Sequence, residues 1–383
     1  MAWKVVRPMD QKMEFLVRWQ KGERITDLCH AFDISRKTGH KLIKRFEIEG
    51  IKGLEERSRR PHSSPAKTPQ NLEDAVIGER TAHPSWGARK IKAILQRKYP
   101  SQIIPAASVI HSILSRHGLV ISRHRTGNFK PKALNLKGTD KPGALWCADF
   151  KGQIQLQDKS MCFPLTITDY ASRYLITCKG LTAIKYHDVR PIFEEAFSKH
   201  GVPAAIRTDN GAPFASSNGL LGFSHLSAWW VSLGIKLQKI DPGKPQQNGR
   251  HERMHLTLKI ETARPSEANL GLQQQRFDVF RREYNHIRPH EALGMESPGR
   301  IYERSQVKYD PRPLVYPLCD YSKRVTSKGY IEIESKSIYL SEALRGYSLG
   351  LTEIEPDIWV VSFSYQDLGF YDKKENSFSP AWI

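Results

Sequence analysis

Three strand-like segments follow one another without an intervening helix, and this run constrains the fold more than any other feature of the chain. They read LWCADFKGQIQL, FPLTITDYASRY and YLITCKGL. Helical and strand-like segments then alternate: helix 188–201, strand 204–211, helix 225–234, strand 235–243, and helices 248–263 and 272–287. A three-strand meander followed by alternating elements predicts a mixed α/β sheet.

Asp149 lies in the middle of the first strand, within an otherwise apolar run. Strand alternation places it on the same face as Leu145 and Cys147, where an ionised carboxylate is costly unless a positive charge accompanies it. Asp209 ends the strand 204–211, and Glu252 lies in the first turn of the helix 248–263. Three carboxylates from three elements are expected to meet at one point.

Such a set suits divalent metal, because phosphodiester chemistry needs an activated nucleophile and a stabilised leaving oxygen. Two Mg²⁺ ions about 4 Å apart can provide both, and Mg²⁺ prefers hard oxygen ligands. We therefore expect two Mg²⁺ ions at Asp149, Asp209 and Glu252, with Mn²⁺ as a substitute. Structural roles stay open at this point, since Asp-Asn-Gly is a common turn and a first-turn Glu complements the helix dipole.

Positive charge is concentrated in the first third of the chain. The net charge is +19, and residues 1–140 hold 28 Lys and Arg against 13 Asp and Glu, an excess of 15. This asymmetry predicts a polyanionic partner, with double-stranded DNA favoured over charge that serves only solubility.

Residues 9–50 predict three short helices of a helix-turn-helix unit. Ser35 is a suitable N-cap for the third, and Gly39 indicates a close approach to DNA or to the second helix. The alternative is an ordinary helical hairpin. The first turns of the third helix should offer the following side chains to DNA bases: Arg36, Lys37, Thr38, His40 and Lys41.

A basic, proline-rich linker separates this unit from a second three-helix pattern. Arg57, Arg59 and Arg60 suit an extended arm in a minor groove, with a plain solvated linker as the equal alternative. In the second pattern Arg89 and Lys90 are candidate contacts to the DNA backbone, and Trp86 is expected to be a packing anchor. The expected domains are a helix-turn-helix domain 1–56, a basic linker 57–70, a second helix-turn-helix-like domain 71–122, a basic linker 123–141, a catalytic core with a trailing helix 142–300, and a small all-β, SH3-like barrel 301–383.

Cysteine usage and hydropathy exclude several classes of protein. The five cysteines are scattered without a C-x-x-C pair, which argues against a zinc site and a disulfide framework. No stretch approaches the ~18 apolar residues of a membrane span, and the N-terminus lacks a secretory signal. We expect a cytoplasmic protein with no membrane partner.

Three motifs around the carboxylates resemble the triad of DDE transposases of bacterial insertion sequences. They are WCADFKG at Asp149, RTDNGAPF at Asp209 and PGKPQQNGRHERMH at Glu252. These transposases are relatives of retroviral integrases with an RNase H-like core. The segments FRREYNHIRPHEALGMESP and SWGARKI resemble the parts that follow and precede that core. The resemblance implies binding of element ends, Mg²⁺-dependent strand cleavage, and strand transfer by a 3′-hydroxyl.

One departure from the family pattern is the 42 residues between Asp209 and Glu252, a longer interval than is common. We place the extra residues in the loop ASSNGLLGFSHL, which can lengthen at little entropic cost. The zinc-binding module of retroviral integrases is absent.

Residues near the carboxylates receive further roles. Lys259 is placed for a DNA phosphate, and His255 for DNA or for shaping the metal site. Gln246, Gln247 and Asn248 precede the Glu252 helix and are expected at the strand end. Asp169 is expected to be a support residue. A helix end should be capped and packed by His286, Arg288 and His290.

Two alternatives remain beside an active transposase. One is a DNA-binding regulator derived from an inactive transposase, and the other is an RNase H-type or junction-cutting nuclease. Because transposition brings two element ends together, we expect a homo-oligomer assembled on element and target DNA, associated with the bacterial nucleoid. The C-terminal barrel is expected to bind DNA or a partner subunit.

Overall fold

The computed structural model describes residues 8–56, 67–120, 141–216, 219–240, 249–334 and 336–381. The chain divides into two compact units, Met1–Thr68 and Pro69–Ile383. The expected first domain lies within the first unit. The expected linker 57–70 spans the division, and most of it lies outside the described residues.

Three helices make up most of the described part of the first unit: α1 (Pro8–Gln20), α2 (Ile25–Ala31) and α3 (Arg36–Glu49). Ser35 caps α3 by accepting a hydrogen bond from the Thr38 backbone N–H at 3.2 Å. Gly39 lies on the buried side of α3, where a Cβ would stand 2.5 Å from the Cys29 Sγ of α2. The close approach that this glycine permits is therefore to the second helix.

The second unit begins with another three helices, α4 (Gln70–Ala82), α5 (Ala88–Lys98) and α6 (Ala107–Arg116). Trp86 is fully buried among their apolar side chains, which confirms its expected role as a packing anchor. The Arg80 guanidinium donates to the backbone carbonyls of Trp86 and Leu119. It thereby joins the α4–α5 turn to the end of α6.

A mixed sheet forms the centre of the second unit. Its first strand, β1, pairs antiparallel with β3 and parallel with β5, and β5 pairs parallel with β6. β3 also pairs antiparallel with β4 and with the short β2. The strands are β1 (Leu145–Phe150), β2 (Ile154–Gln155), β3 (Met161–Asp169), β4 (Leu175–Leu181), β5 (Ala205–Thr208) and β6 (Lys236–Lys239).

Helices cover both faces of this sheet. Trp146 and Ala148 of β1 belong to the core that contains α7 and α8. On the other face, the apolar side chains of α9 and α10 pack with Leu175 and Cys178 of β4. The helices are α7 (Tyr186–His200), α8 (His225–Ser232), α9 (Gly249–Thr262), α10 (Leu270–His286) and the short α11 (Pro298–Ile301).

The C-terminal part is all-β. A five-stranded antiparallel sheet has the order β13-β12-β11-β10-β7, and β8 and β9 form a separate hairpin. The strands are β7 (Tyr321–Arg324), β8 (Tyr330–Ile333), β9 (Lys336–Tyr339), β10 (Ser348–Glu355), β11 (Ile358–Phe363), β12 (Gln366–Asp372) and β13 (Ser377–Pro380).

The C-terminal sheet shares its core with the central domain. Phe223, which precedes α8, and Ala228 and Val231 of α8 are buried in the same apolar cluster as Leu349 and Phe363. The Phe223 and Phe363 rings meet edge to face at 6.2 Å between centroids. Part of the loop to which the sequence analysis assigns the extra residues of the Asp209–Glu252 interval therefore packs against the C-terminal sheet.

The predicted architecture of N-terminal helical units, mixed α/β core and C-terminal β-structure is confirmed, whereas the SH3-like barrel remains a prediction. The β-structure begins at β7. The preceding segment packs on the core, since Ser305 N donates to His200 O and Val202 N to Val307 O. No helix among the described residues is long and apolar enough to cross a membrane.

Candidate active site

Asp149 lies near the end of β1, opposite Thr166 of β3. Its side chain is only 21% exposed. Burial, followed by the negative charges of Asp209 and Glu252, raises the pKa of Asp149 to about 7. The carboxyl therefore lies in an environment that disfavours its ionised form unless a cation is present.

Asp209 comes directly after β5, the strand parallel to β1. Leu145 pairs with Ala205, and Cys147 with Arg207, so the same register carried two residues further sets Asp209 beside Asp149. Asp209 is exposed, and the Gly211 N–H donates to its Oδ1 at 3.2 Å. Adjacent parallel strands thus end in two neighbouring carboxylates.

Glu252 lies in the first turn of α9 and is exposed. The helix packs on the sheet face that carries Asp149, through Met254 and Leu258. This packing brings the Glu252 charge close enough to affect the pKa of Asp149. All three predicted carboxylates therefore converge at one end of β1.

Two histidines behind Asp149 form a buried polar chain with β3. The Thr166 hydroxyl donates to the Asp149 backbone oxygen at 3.0 Å, and it lies 2.7 Å from Nε2 of both His251 and His255. His251 Nδ1 lies 2.9 Å from the Thr168 hydroxyl. Because the single Thr166 proton goes to the carbonyl, both Nε2 atoms must donate to Thr166.

With its proton on Nε2, His255 is unprotonated at Nδ1. The lone pair of Nδ1 faces Asp149 Oδ2 at a distance of 3.8 Å. Burial lowers the pKa of His251 to about 3 and that of His255 to about 2, so both rings are neutral. An imidazole lone pair and a carboxylate oxygen that face each other form a donor set for a cation. His251, Thr166 and Thr168 were not predicted, although the paired threonines in an apolar strand and the i, i+4 histidines were visible signals.

The structure places His255 differently from its predicted contact with DNA. Its side chain is 5% exposed and is held by Thr166 and Asp149. The buried position is incompatible with a surface contact to DNA and favours the alternative of shaping the metal site. Lys259 is exposed on α9.

Asp169 lies in a closed set of hydrogen bonds. It accepts from the Gly143 and Ser172 N–H groups at 2.8 Å and from the Ser172 hydroxyl at 2.6 Å. Burial raises its pKa and the Ser172 hydrogen bonds oppose that rise. These contacts fit the expected support role.

The predicted DNA contacts differ in their surroundings. The α3 residues are exposed: Arg36, Lys37, Thr38, His40 and Lys41. Arg89 makes an exposed ion pair with Glu291 at 3.3 Å, and Lys90 is partly buried beside Arg288. Arg57, Arg59, Arg60, Gln246, Gln247 and Asn248 lie outside the described residues.

Three residues at and after the end of α10 were predicted to cap and pack it, and each makes a different kind of contact. Arg288 is buried and pairs with Glu261. The His286 ring meets Tyr174 edge to face. His290 is buried against the Tyr284 ring. All three contacts fit the packing role.

Comparison with known protein families agrees with this architecture. Two models of an integrase core domain match residues 139–245 and 233–298. Models of a homeodomain-like domain and of a helix-turn-helix domain match residues 38–114 and 11–62.

Similar proteins include two from insertion elements. The chain is 24% identical over 288 residues to an uncharacterized 39.2 kDa protein of IS476 from Xanthomonas euvesicatoria, covering 74% of this chain and 79% of the relative. It is 22% identical over 231 residues to a 31.7 kDa protein of IS407 from Burkholderia multivorans, covering 59% and 78%. The HTLV-2 integrase catalytic core domain matches with a TM-score of 0.33 and 17% identity, over 43% of this chain and 98% of that chain.

The integrase-core matches extend over the sheet, α9 and α10, and the carboxylates converge within them. The matched part of the chain is an integrase core domain. The chain as a whole is similar to proteins of bacterial insertion elements.

Proposed function

We propose that this protein binds the terminal inverted repeats of its mobile element, cleaves DNA strands there, and joins the 3′-hydroxyl ends to target DNA. The observation that carries the proposal is the convergence of Asp149, Asp209 and Glu252. Burial first, and then the charges of Asp209 and Glu252, raise the pKa of Asp149 to about 7. Three neighbouring carboxylates repel one another, and a bound cation would remove that repulsion.

The residues fit a divalent metal. Asp149, Asp209 and Glu252 offer carboxylate oxygens, the ligands that Mg²⁺ prefers, and the His255 Nδ1 lone pair faces the same carboxylate. We propose two Mg²⁺ ions there, with Mn²⁺ as a substitute. Bound metal would activate the attacking oxygen and stabilise the leaving oxygen.

The chain's own residues orient and separate these groups. Thr166 holds the Asp149 backbone, and His255 flanks its carboxyl, so that Asp149 has little freedom to turn away. Asp209 is exposed at the strand end and is accessible to a DNA strand. Lys259, seven residues after Glu252 on the same helix, is placed to receive a phosphate near the carboxylates.

DNA recognition is proposed for the helical units. The α3 side chains Arg36, Lys37 and His40 are exposed in the first turns of that helix, the part of a recognition helix that reads base edges. Assembly of a homo-oligomer on two element ends follows from the reaction, and the C-terminal sheet is proposed to contact DNA or a neighbouring subunit. The protein would work in the cytoplasm, at the nucleoid.

The test uses labelled duplexes that carry the DNA flanking the coding frame. Asp149→Asn, Asp209→Asn and Glu252→Gln should each abolish strand cleavage in Mg²⁺ while retaining DNA binding. Glu195→Gln, on the exposed side of α7, should cleave like the unchanged protein. Full cleavage by any of the three variants contradicts the proposal.

The reaction product separates the proposed function from its alternatives. Joined products that depend on Mg²⁺ and disappear in EDTA support a transposase. Cut ends that are never joined to target DNA would indicate a nuclease. Binding without any cleavage would indicate a regulator derived from a transposase.

A further inference from the structure

A cleft of about 570 Å³ opens between the second three-helix unit and α9. Its walls come from the start of α5, from one face of α9, from the end of α10 and its following loop, and from the turn between β3 and β4. Its volume is that of a small-molecule site. A volume of this size accommodates about one or two nucleotides.

The α9 wall of the cleft is distinct from the face that carries the candidate active site. Arg253, Leu256, Thr257 and Ile260 line the cleft, and their spacing forms one helical stripe. Glu252 lies about 90° around the helix axis from the centre of this stripe, and Leu256, four residues later, is its neighbour within the stripe. A DNA strand that lies in the cleft is therefore close to the carboxylates but does not fill the candidate active site.

Positive charge dominates the lining. Arg288 is paired with Glu261, and Arg250 lies over the Tyr170 ring at 4.1 Å. The Arg173 and Arg253 side chains make no hydrogen bond or ion pair with any residue in the described ranges. Two cations without a matching acid in a semi-enclosed space mark a place for an anion.

The pKa values of the lining cations reflect this crowding. Burial, followed by the charge of Arg288, lowers the pKa of Lys90 to about 8. Burial and then the Arg250 charge lower the pKa of Arg173. An anionic ligand would relieve the repulsion on both.

His290 adds an uncharged ring to the cationic lining. It is nine-tenths buried and lines the cleft. Burial lowers its pKa to about 3, while the Tyr284 backbone holds the ring. Because its Nε2 is itself covered from solvent, the ring gives the cleft a neutral surface and no hydrogen-bond acceptor.

We propose that this cleft binds a short stretch of unpaired DNA strand, with its phosphates at Arg173 and Arg253 and a base against Leu256 and Ile260. The combination of cations and an apolar wall matches a nucleotide. Grooves for single strands likewise pair cations for the phosphates with an apolar surface for the bases, which here is aliphatic and not aromatic. The inference rests on the proposed action on DNA and names a second place, beside the carboxylates, where the strand is held.

The test measures binding alone, in full-length protein that carries Glu252→Gln, in EDTA. A fluorescent 12-nucleotide single strand and the corresponding duplex are titrated at several salt concentrations. Arg173→Ala with Arg253→Ala should lower the salt slope for the single strand by roughly 1.4, since each phosphate contact contributes about 0.7. The slope for the duplex should be unchanged.

The matched control is Lys179→Ala with Lys199→Ala, which removes two exposed cations elsewhere on the core. It should leave the single-strand slope unchanged. The proposal is overturned if the cleft variant keeps its slope, if the control loses as much, or if only the duplex is affected.

A second measurement avoids the loss of Arg173, which could perturb its turn. Thr257→Cys on the cleft wall and Thr81→Cys on the exposed side of α4 each carry a photo-crosslinker in a Cys319→Ser background. The single strand should crosslink from position 257 several-fold more than from position 81. Equal crosslinking contradicts the cleft. Neither measurement requires cleavage, so failure of the proposed transposase activity leaves both results interpretable.

Discussion

At the scale of single residues, Asp149 shows how far a sequence can predict a site. Strand alternation identified it as a costly carboxylate on an apolar face, and the structure places it there with its pKa raised to about 7. The Thr166–His251–His255 contacts behind it were not predicted. They join residues 85 and 89 positions apart, and the packing of α9 on β3 decides them.

Thr166→Val tests the role of this polar chain. The change removes the hydroxyl that accepts from both histidines, and each buried donor left unsatisfied costs about 1–3 kcal/mol. We expect a lower free energy of unfolding and a loss of strand cleavage of at least tenfold, with DNA binding retained. Thr166→Ser keeps the hydroxyl and should restore most of the cleavage rate. A Val variant that cleaves normally would exclude a positioning role.

The raised pKa of Asp149 predicts a pH dependence of stability in EDTA. Between the ordinary value of 3.8 and about 7, the unfolded state releases the proton while the folded state retains it. The contribution of Asp149 to the free energy of unfolding should therefore fall as pH rises through this window and level off above it. The buried neutral histidines contribute in the opposite direction, so the Asp149 contribution is measured as the difference between the unchanged protein and Asp149→Asn. Asp149→Asn should remove this contribution and be more stable at pH 8 by roughly 1–3 kcal/mol.

Metal should reverse that difference. Millimolar Mg²⁺ at pH 8 should raise the melting temperature of the unchanged protein, because a ligand that binds the folded state stabilises it. Asp149→Asn should show a much smaller rise. Thermal unfolding with and without EDTA measures both effects, and equal Mg²⁺ responses would argue against Asp149 as a ligand.

At the scale of elements, Gly39 and Gly78 form a matched pair within helices. A Cβ at Gly39 would lie 2.5 Å from Cys29 Sγ, whereas one at Gly78 would meet nothing within 4 Å. Gly39→Ala should destabilise by about 1–2 kcal/mol, since overpacking exceeds the helix-propensity gain. Gly78→Ala should stabilise by about 0.5–1 kcal/mol. Chemical denaturation followed by circular dichroism gives both values, and a stabilised Gly39→Ala would contradict the packing.

Helices with a regular spacing of apolar residues could be predicted from the sequence, whereas the short polar strands at the edges of the C-terminal sheet could not. The helices of the N-terminal units followed from apolar spacing and from the Ser35 cap. The sequences of β7 and β13, YSKR and SFSP, are short and polar and carry little strand pattern, and the sheet order places both strands at its edges. The turn between β11 and β12 is equally hidden, because Ser364, at φ 56°, turns the chain at a position where a glycine or an asparagine would mark a hairpin.

At the scale of the whole molecule, the central domain and the C-terminal sheet share one apolar core. The sequence analysis assigns the extra residues of the longer Asp209–Glu252 interval to one loop, but it gives no indication of what that loop packs against. Leu220, Leu221 and Phe223 of that loop contact the C-terminal cluster. The contact joins parts of the chain more than a hundred residues apart, and local patterns contain no information about such pairs.

Phe223→Ala should therefore destabilise both parts together. Removing a fully buried phenylalanine costs about 3–5 kcal/mol, and calorimetry should show a single lowered transition for the core and the C-terminal sheet. Phe370→Ala, at an exposed position of β12, should change the melting temperature little. A C-terminal sheet that melts separately while the core is unaffected would refute the shared core.

The shared core also limits how such a protein can be recombined. Phe223 and α8 belong to the central domain by chain order and to the C-terminal sheet by packing. A chimera that exchanges only residues after Ile301 would pair a foreign sheet with an unmatched loop. A folded chimera should be obtained only when the segment 219–232 is replaced together with the C-terminal sheet. The boundaries of a segment that can be exchanged are therefore determined by the shared apolar core and not by the order of the elements along the chain.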